Sequence, residues 1–207
     1  MPRTATKEPP FPPAPELAGL PVQERLLAAS LRLFAAQGVE GTSVQEIVAT
    51  AGVTKGAMYH YFASKDDLLY EIYHRLLGRQ TERLNAIADG PGSVEERLRA
   101  AAADVVESTL SSLDEAIVSF RSVHMLPQPQ RSQVRAERRR YHERFRAMVE
   151  EGQREGTLRK DVPADIAVHF FFGSVNQLGT WFHRDGELHR RQVAEHYAEL
   201  LLTGLRV

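Results

Sequence analysis

Residues 42–65 read TSVQEIVATAGVTKGAMYHYFASK, and the interpretation of the whole chain starts from this stretch. The pattern predicts two short helices joined by a tight turn, followed by the beginning of a further helix. Thr42 or Ser43 can cap the first helix by accepting backbone N–H bonds, and apolar residues follow at helical spacing. Gly52 can take the positive φ of a sharp turn, and Thr54 restarts the helix. The stretch therefore predicts a helix-turn-helix.

The second helix of this stretch has an outer face that suits close approach to a nucleic acid. Val53, Met58 and Phe62 take the inward positions, so that small residues lie at the N-terminal end of the outer face and hydrogen-bonding residues lie beyond them. Small residues permit close contact, and the backbone N–H groups at a helix N-terminus favour a phosphate. Helices that read the major groove have this character. The outer residues are Thr54, Lys55, Gly56, Ala57, Tyr59 and His60.

The composition is that of an ordinary globular protein, with 43% hydrophobic and 26% charged residues in a chain of 207. The absence of cysteine excludes disulfides, thiolate metal sites and a cysteine nucleophile. No apolar run approaches the roughly 18 to 20 residues that cross a bilayer, so we expect a cytoplasmic protein that does not bind membranes. The formal net charge of -1 means that any contact with DNA is confined to a local surface.

The chain divides into three predicted regions. Residues 1–20 are rich in proline and predict a disordered arm, residues 21–66 form the helix-turn-helix domain, and residues 67–207 form a ligand-binding and dimerisation domain. Apolar residues recur at helical spacing along the second and third regions, and no segment alternates as a strand would. We therefore expect an all-α fold of about nine helices without a sheet.

The last two predicted helices carry much apolar surface. One begins at Pro163 and continues through Phe182, and the other places Tyr197 and Leu200 among its inward residues. Together they have more apolar surface than one neighbour each could cover, which predicts a homodimer formed through these two helices. The alternative is that this surface faces the core of the same chain.

The sequence GVEGTSVQEIVATAGVTKGAMYHYFASKDDLL, residues 38–69, resembles the N-terminal domain of the tetracycline-repressor (TetR) family of bacterial transcription regulators. The resemblance implies an all-helical homodimer that binds a palindromic double-stranded DNA operator and holds an inducing ligand in its C-terminal domain. It also implies that Lys55 reads a guanine edge and that Lys65 anchors to the phosphate backbone. The DNA-contacting positions that it implies are Thr42, Ser43, Gln45, Thr54, Lys55, Gly56, Ala57, Tyr59, His60 and Lys65.

Basic residues are concentrated in the C-terminal half. From Arg131 to Lys160, nine arginines and one lysine stand against five glutamates. A solvated helix with ion pairs at helical spacing is one interpretation. The other is a site for an anionic head group beside an apolar tunnel, because the arginine fork binds phosphate in a bidentate manner. The head-group residues would be Arg135, Arg138, Arg139, His142 and Arg146, and the tunnel residues Phe170, Phe171 and Trp181.

The C-terminal half also resembles acyl-CoA-responsive members of the TetR family, in the layout from Tyr141 to Arg184. This resemblance implies a small lipophilic inducer, with an acyl-CoA as the candidate, and it adds Asn176 and Arg184 to the ligand-binding residues. A multidrug-type pocket is the rival, in which a carboxylate such as Asp104 or Glu107 would hold a lipophilic cation.

No pattern in the chain indicates catalysis, a cofactor or a metal. The eight histidines do not form closely spaced ligand pairs, and no phosphate loop or Ser-His-Asp arrangement is visible. The alternatives from another class are a small helical enzyme and a purely structural helical dimer. A structural dimer would leave the small, polar outer face of residues 54–60 unexplained.

Overall fold

The structure, a computed structural model, describes residues 15–207. Most of the predicted N-terminal arm, residues 1–14, lies outside the described residues. The described chain is built from α-helices without a strand, and the only pairing of extended backbone in it is a single bridge between Leu158 and Arg206. The all-α prediction is therefore confirmed.

Ten helical segments follow one another along the described residues, with short 3-10 turns at Pro15–Leu17 and Val123–Met125. They are α1 (Val22–Gln37), α2 (Val44–Ala51), α3 (Lys55–Tyr61), α4 (Lys65–Ala88), α5 (Val94–Ser111), α6 (Leu113–Ser122), α7 (Gln128–Glu155), α8 (Ala164–Asn176), α9 (Leu178–Trp181) and α10 (Arg190–Leu205).

The tenth segment arises because the predicted helix from Pro163 to Phe182 is interrupted. Gln177 separates α8 from the single turn of α9. The Ser174 hydroxyl donates to the carbonyl of Phe171 at 2.7 Å, and the amide of Gln177 donates to the carbonyl of Ser174 at 3.1 Å. Such side-chain and three-residue hydrogen bonds compete with the regular helical pattern and end the helix here.

The chain forms two compact units. The N-terminal unit contains α1 to α3, the first part of α4 up to Tyr73, and residues Ile117–Gln128. The C-terminal unit contains His74–Ala116 and Pro129–Val207.

The N-terminal unit has a small apolar core. Leu26 and Leu33 of α1, Ile47 of α2, Met58 of α3 and Leu68 of α4 are completely buried. Burial of side chains of this size contributes about 1.5 to 3 kcal/mol each, which fixes α2 and α3 against the other helices of the unit. The core therefore determines which faces of α2 and α3 are exposed.

The C-terminal unit is held together by a helix pair and an aromatic cluster. Helix α10 packs along α5, while Phe145 of α7 is completely buried against α8. The ring of Phe145 stacks on Phe171 at 5.2 Å between centroids and meets Phe172 edge-on at 5.3 Å. Aromatic pairs in these arrangements add about 0.5 to 1.5 kcal/mol to their area burial. This cluster fixes α8 beside α7.

Candidate functional site

The start of α2 is fixed by a reciprocal cap. The hydroxyl of Ser43 accepts from the amide of Glu46 at 3.2 Å, and the carboxylate of Glu46 accepts from the amide of Ser43 at 2.7 Å. Ser43 is therefore the capping residue. It is exposed, and its own hydroxyl proton is left to donate outward; Gln45, in the first turn, is exposed beside it.

Thr42, unlike Ser43 and Gln45, is not exposed. Its side chain is 2% exposed, and its hydroxyl donates to the carbonyl of Gly38 at 2.7 Å. The expectation that Thr42 contacts DNA through its side chain is therefore wrong, because this hydroxyl closes the turn between α1 and α2.

The turn between α2 and α3 depends on Gly52. This residue has a φ of 63° and lies in the left-handed region that favours glycine. Its amide donates to the carbonyl of Ala49 at 3.2 Å, and the amide of Val53 donates to the carbonyl of Val48 at 3.0 Å. Arg25 of α1 donates to the carbonyl of Gly52 at 3.3 Å. The turn is thereby held on α1, and α3 leaves it in a fixed direction.

Helix α3 presents the outer face that the sequence predicted. Thr54 caps the helix by accepting from the amide of Ala57 at 3.1 Å. Met58 is completely buried, while Lys55, Gly56 and His60 are exposed. Tyr59 is 54% exposed and is therefore not a core aromatic. The face combines a small glycine with donors and acceptors of several kinds.

Tyr61 is an exposed aromatic residue of α3 that was not among the predicted contacts. It is 47% exposed, and its ring meets that of His60 edge-on at 4.9 Å. The sequence did show two tyrosines, at 59 and 61, between the inward residues Met58 and Phe62, and this spacing indicates that the tyrosines are exposed.

The ammonium group of Lys65 is engaged within the N-terminal unit. It donates to the carbonyl of Val39 at 2.5 Å and to the carbonyl of Thr42 at 2.7 Å. Two of the three ammonium donors are thus directed at the turn between α1 and α2. The expected role of this residue as an anchor on the DNA backbone does not account for these contacts.

A groove of about 470 Å³ runs between α7 and α8. The structure brings the five predicted head-group residues of α7 together along its wall, because their spacing places them on one side of the helix. Four arginines line the groove against two carboxylates, those of Glu143 and Asp165. Arg146 pairs with Asp165 at 3.1 Å and with Glu150 at 3.3 Å. Arg135 and Arg139 are exposed on the wall of the groove and add positive charge to it.

His142 contributes no charge to the groove at neutral pH. Its ring stacks on Phe172 at 4.1 Å between centroids. Burial, followed by the positive charge of Arg138 and the neighbouring His169, lowers the pKa of His142 to about 4. The imidazole is therefore a neutral hydrogen-bonding group in the groove.

The pH dependence of stability should reveal this neutral histidine. Because the pKa of His142 is lower in the folded than in the unfolded state, the unfolded state binds more protons between about pH 6.5 and pH 4. The contribution of the neutral His142 to stability is complete above this pH window and is lost as the pH falls through the window. Between about pH 7.5 and pH 5, the free energy of unfolding of wild-type protein should fall by about 1 kcal/mol more than that of His142→Gln. This figure is reduced because His142 is partly exposed, and denaturant unfolding measures it. The exposed His196→Gln should lose as much as wild type, and equal losses in all three proteins would contradict the assignment.

The predicted apolar tunnel is not formed by the predicted residues. Phe170 is 75% exposed on the outside of α8, and Trp181 is 41% exposed, whereas Phe171 is buried in the aromatic cluster. Phe171 is buried together with Phe172 and Phe145, whereas Phe170 lies on the exposed side of α8, so that Phe170 and Phe171 do not line one tunnel. Leu200, expected inward, is 71% exposed on α10.

The two remaining predicted ligand residues lie away from the α7–α8 groove. Asn176 is half-buried at the last residue of α8. Arg184 lines a different groove, beside Ser111, Phe182 and Arg190, and pairs with Asp114 at 3.3 Å. The grouping of Arg184 with the arginines of α7 was therefore wrong, because Arg184 lies beside Asp114 and Arg190 and not in the α7–α8 groove.

The described residues offer neither a metal site nor a membrane span. No cluster of three or more histidine, aspartate or glutamate side chains between residues 15 and 207 could hold a metal ion. In the same part of the chain, no helix has both the length and the apolar character that crossing a membrane requires.

Two family models match the chain. The model of the "Bacterial regulatory proteins, tetR family" matches residues 26–72, which contain the capped α2, the turn and α3. The model of the "Tetracyclin repressor-like, C-terminal domain" matches residues 91–205, more than half of the chain. The chain belongs to the TetR family. This is a family of transcriptional regulators and not of enzymes, and the protein is a helix-turn-helix DNA-binding regulator.

Individual TetR proteins resemble this chain over most of its length. The transcriptional repressor KstR2 of Mycobacterium tuberculosis is 25% identical over 183 residues, which cover 87% of this chain and 90% of that protein. The crystal structure of the TetR-family regulator PfmR from Thermus thermophilus has a TM-score of 0.81 at 28% identity, covering 88% of this chain and 100% of that chain. AibR, solved in complex with isovaleryl coenzyme A and operator DNA, has a TM-score of 0.78 at 26% identity, covering 88% and 98%.

Proposed function

We propose that this TetR protein is a repressor that binds a palindromic operator as a homodimer and leaves it when an acyl-CoA binds the C-terminal unit. The observation that carries the DNA-binding part is the exposed outer face of α3, held in place by the caps at Ser43 and Thr54 and by the turn at Gly52. KstR2, the similar protein from M. tuberculosis, is a repressor, which supports the direction of control.

The DNA-contacting face consists of side chains on α2 and α3. Ser43 and Gln45 project from the first turn of α2, and Lys55, Tyr59 and His60 project from α3. In this proposal, Ser43 and Tyr59 donate to phosphate oxygens and fix the position of the helix, while Lys55 and His60 reach base edges. Gly56, without a side chain, lets the backbone of α3 approach the groove closely.

Dimerisation is supported by the apolar side chains that α8 and α10 expose. Ile166 and Phe170, one turn apart on α8, are 60% and 75% exposed, and Leu200 of α10 is 71% exposed. An added Cβ at Gly173, on the same side of α8, would meet no atom within 4 Å, so that another helix can approach there. Apolar patches of this kind mark interaction surfaces, and a two-fold pairing would bury them.

The ligand proposal rests on the charge and shape of the α7–α8 groove. Arg135 and Arg139, one helical turn apart, are exposed on its wall and are spaced to bind a phosphate between them. AibR, the similar protein of known structure, binds isovaleryl coenzyme A together with operator DNA. An acyl-CoA combines phosphates with an apolar chain, and Val168 and the Phe172-stacked His142 give the groove an apolar side.

A lipophilic cation is the less favoured ligand. The carboxylate of Asp104, which would hold such a cation, pairs with Arg83 at 3.3 Å. Burial raises the pKa of Asp104, which means that its surroundings disfavour the charged form that a cation needs. A carboxylate that already has an arginine partner gains little from a second cation.

Release of bound DNA tests the ligand class. The probe is a DNA fragment that wild-type protein enriches from a random-sequence library, and binding is followed by fluorescence anisotropy. We expect acyl-CoAs of suitable chain length to release the fragment, and the matching free acids, free CoA and lipophilic cations to release it at least about tenfold less effectively. Release by lipophilic cations but not by acyl-CoAs would replace the proposal by its rival.

Replacement of Lys55 tests the direct reading of bases. Lys55→Ala should lose about 1 to 3 kcal/mol of discrimination at one base pair of each half-site, because the ammonium donates to the guanine edge. Affinities for single-base variants of the enriched fragment measure this loss. A uniform weakening of binding to every fragment would instead assign Lys55 to phosphate.

A further inference from the structure

Lys65 joins two separate parts of the N-terminal unit. It is the first residue of α4, and its half-buried side chain reaches back to the turn between α1 and α2. Both of its hydrogen bonds go to backbone carbonyls, those of Val39 and Thr42, which lie 26 and 23 residues earlier in the chain. A charged donor bound to two carbonyls makes stronger hydrogen bonds than a neutral donor would.

The turn that Lys65 binds leads directly into the capped start of α2. The hydroxyl of Thr42 donates to the carbonyl of Gly38, and the amide group of Gln37 donates to the carbonyl of Gly41 at 3.3 Å. The same amide group of Gln37 donates to the hydroxyl of Thr42 at 3.4 Å and to the carboxylate of Glu46 at 3.3 Å, and this carboxylate accepts from the amide of Ser43. A continuous set of hydrogen bonds therefore connects Lys65 with the cap of α2.

We propose that Lys65 is a positioning residue for DNA binding: its ammonium holds the α1–α2 turn on the first turn of α4 and so orients the N-terminus of α2. The phosphate contact implied by the family resemblance is not its main role. Ser43 and Gln45 then reach the DNA in the correct place only while Lys65 holds the turn. This inference rests on the proposed DNA-binding face.

The salt dependence of DNA binding separates the two roles. The logarithm of the affinity falls as the logarithm of the salt concentration rises, and each phosphate contact by a cation adds about 0.9 to the magnitude of this slope. A dimer contains two copies of Lys65, so that loss of two phosphate contacts would reduce the slope by about 2. Loss of a positioning residue lowers the affinity and leaves the slope unchanged, because no counterions are released at this side chain.

Lys65→Met is the decisive variant, and Lys160→Met, an exposed lysine of the C-terminal unit, is the matched control. We expect Lys65→Met to bind the enriched fragment at least about tenfold more weakly than wild type at a temperature where both are folded, with the slope unchanged. Lys160→Met should match wild type in both quantities. A slope reduced by about 2, or an unchanged affinity, would overturn the proposal.

Two additions keep the test decisive. If Lys65→Met does not fold, Lys65→Gln replaces it. This variant removes the charge but keeps two N–H donors, so a phosphate contact would still reduce the magnitude of the slope by about 2, whereas a positioning role leaves the slope unchanged. Hydrogen exchange in the free protein gives a readout that a phosphate contact would not change: the amides of residues 38–46 should exchange faster in Lys65→Met than in wild type. Unchanged exchange there would overturn the positioning role. If wild-type protein enriched no DNA at all, the proposed function would fail, and the exchange measurement would still test Lys65.

Discussion

Phe170→Glu should turn the protein into a monomer and lower its affinity for the enriched operator by at least about 100-fold. The side chain is 75% exposed at the centre of the apolar face of α8, next to Ile166 on the same side. A two-fold interface would bring Phe170 close to its own copy, so that two buried carboxylates would oppose each other. A single recognition helix then binds one half-site without the effective concentration that a second, linked helix provides.

The oligomeric state and the DNA affinity are measured together, by sedimentation and by fluorescence anisotropy. Val207→Glu, which also places a carboxylate on an exposed apolar residue of the C-terminal unit, should leave both unchanged. Since Phe170 is 75% exposed within its own chain, the variant should keep the helical content of wild type, but its thermal midpoint should be lower because the monomer lacks the stabilisation that association gives the dimer. A dimeric Phe170→Glu protein that still binds the operator tightly would show that α8 does not form the dimer interface.

The double variant Arg135→Ala/Arg139→Ala should need at least about 100-fold more acyl-CoA to release the operator. Each charge-assisted hydrogen bond to a phosphate contributes about 1.5 to 3 kcal/mol, and the two side chains stand one turn apart on the groove wall. The operator affinity without ligand should not change, because both residues lie on α7. Titration of the protein–DNA complex with acyl-CoA measures the effect.

Arg140→Ala is the matched control, because Arg140 is exposed on α7 and does not line the groove. It should leave the acyl-CoA concentration for release unchanged. If Arg140→Ala and the double variant had equal effects, the general positive charge of α7, and not the groove, would be responsible for binding.

The local features of the helix-turn-helix could be predicted from the sequence because each depends on residues close in the chain. The cap at Ser43 needs only Glu46 three residues later, and the turn needs only a glycine that can adopt a φ of 63°. The stripe of basic residues on α7 is local in the same sense, since helical spacing alone places Arg135, Arg139 and His142 on one side.

The features that the sequence did not predict depend on contacts between distant residues. The burial of Thr42 follows from the path of the turn after α1, and the contacts of Lys65 reach 26 residues back. Neither can be seen from a motif. The different surroundings of Phe170 and Phe171 follow from the rotation of α8 about its axis, which is set by the stacking of Phe145 on Phe171. Arg184 was misplaced because nothing in the sequence fixes the direction of the chain after α9.

The most direct test of a dimeric operator-binding repressor is selection of DNA from a random-sequence library by wild-type protein, followed by footprinting of the enriched fragment. We predict a palindrome whose two half-sites have centres about 10 base pairs apart or a multiple of this, each protected by one copy of α3. Enrichment of a single asymmetric site bound by one chain, or no enrichment of any sequence, would contradict it.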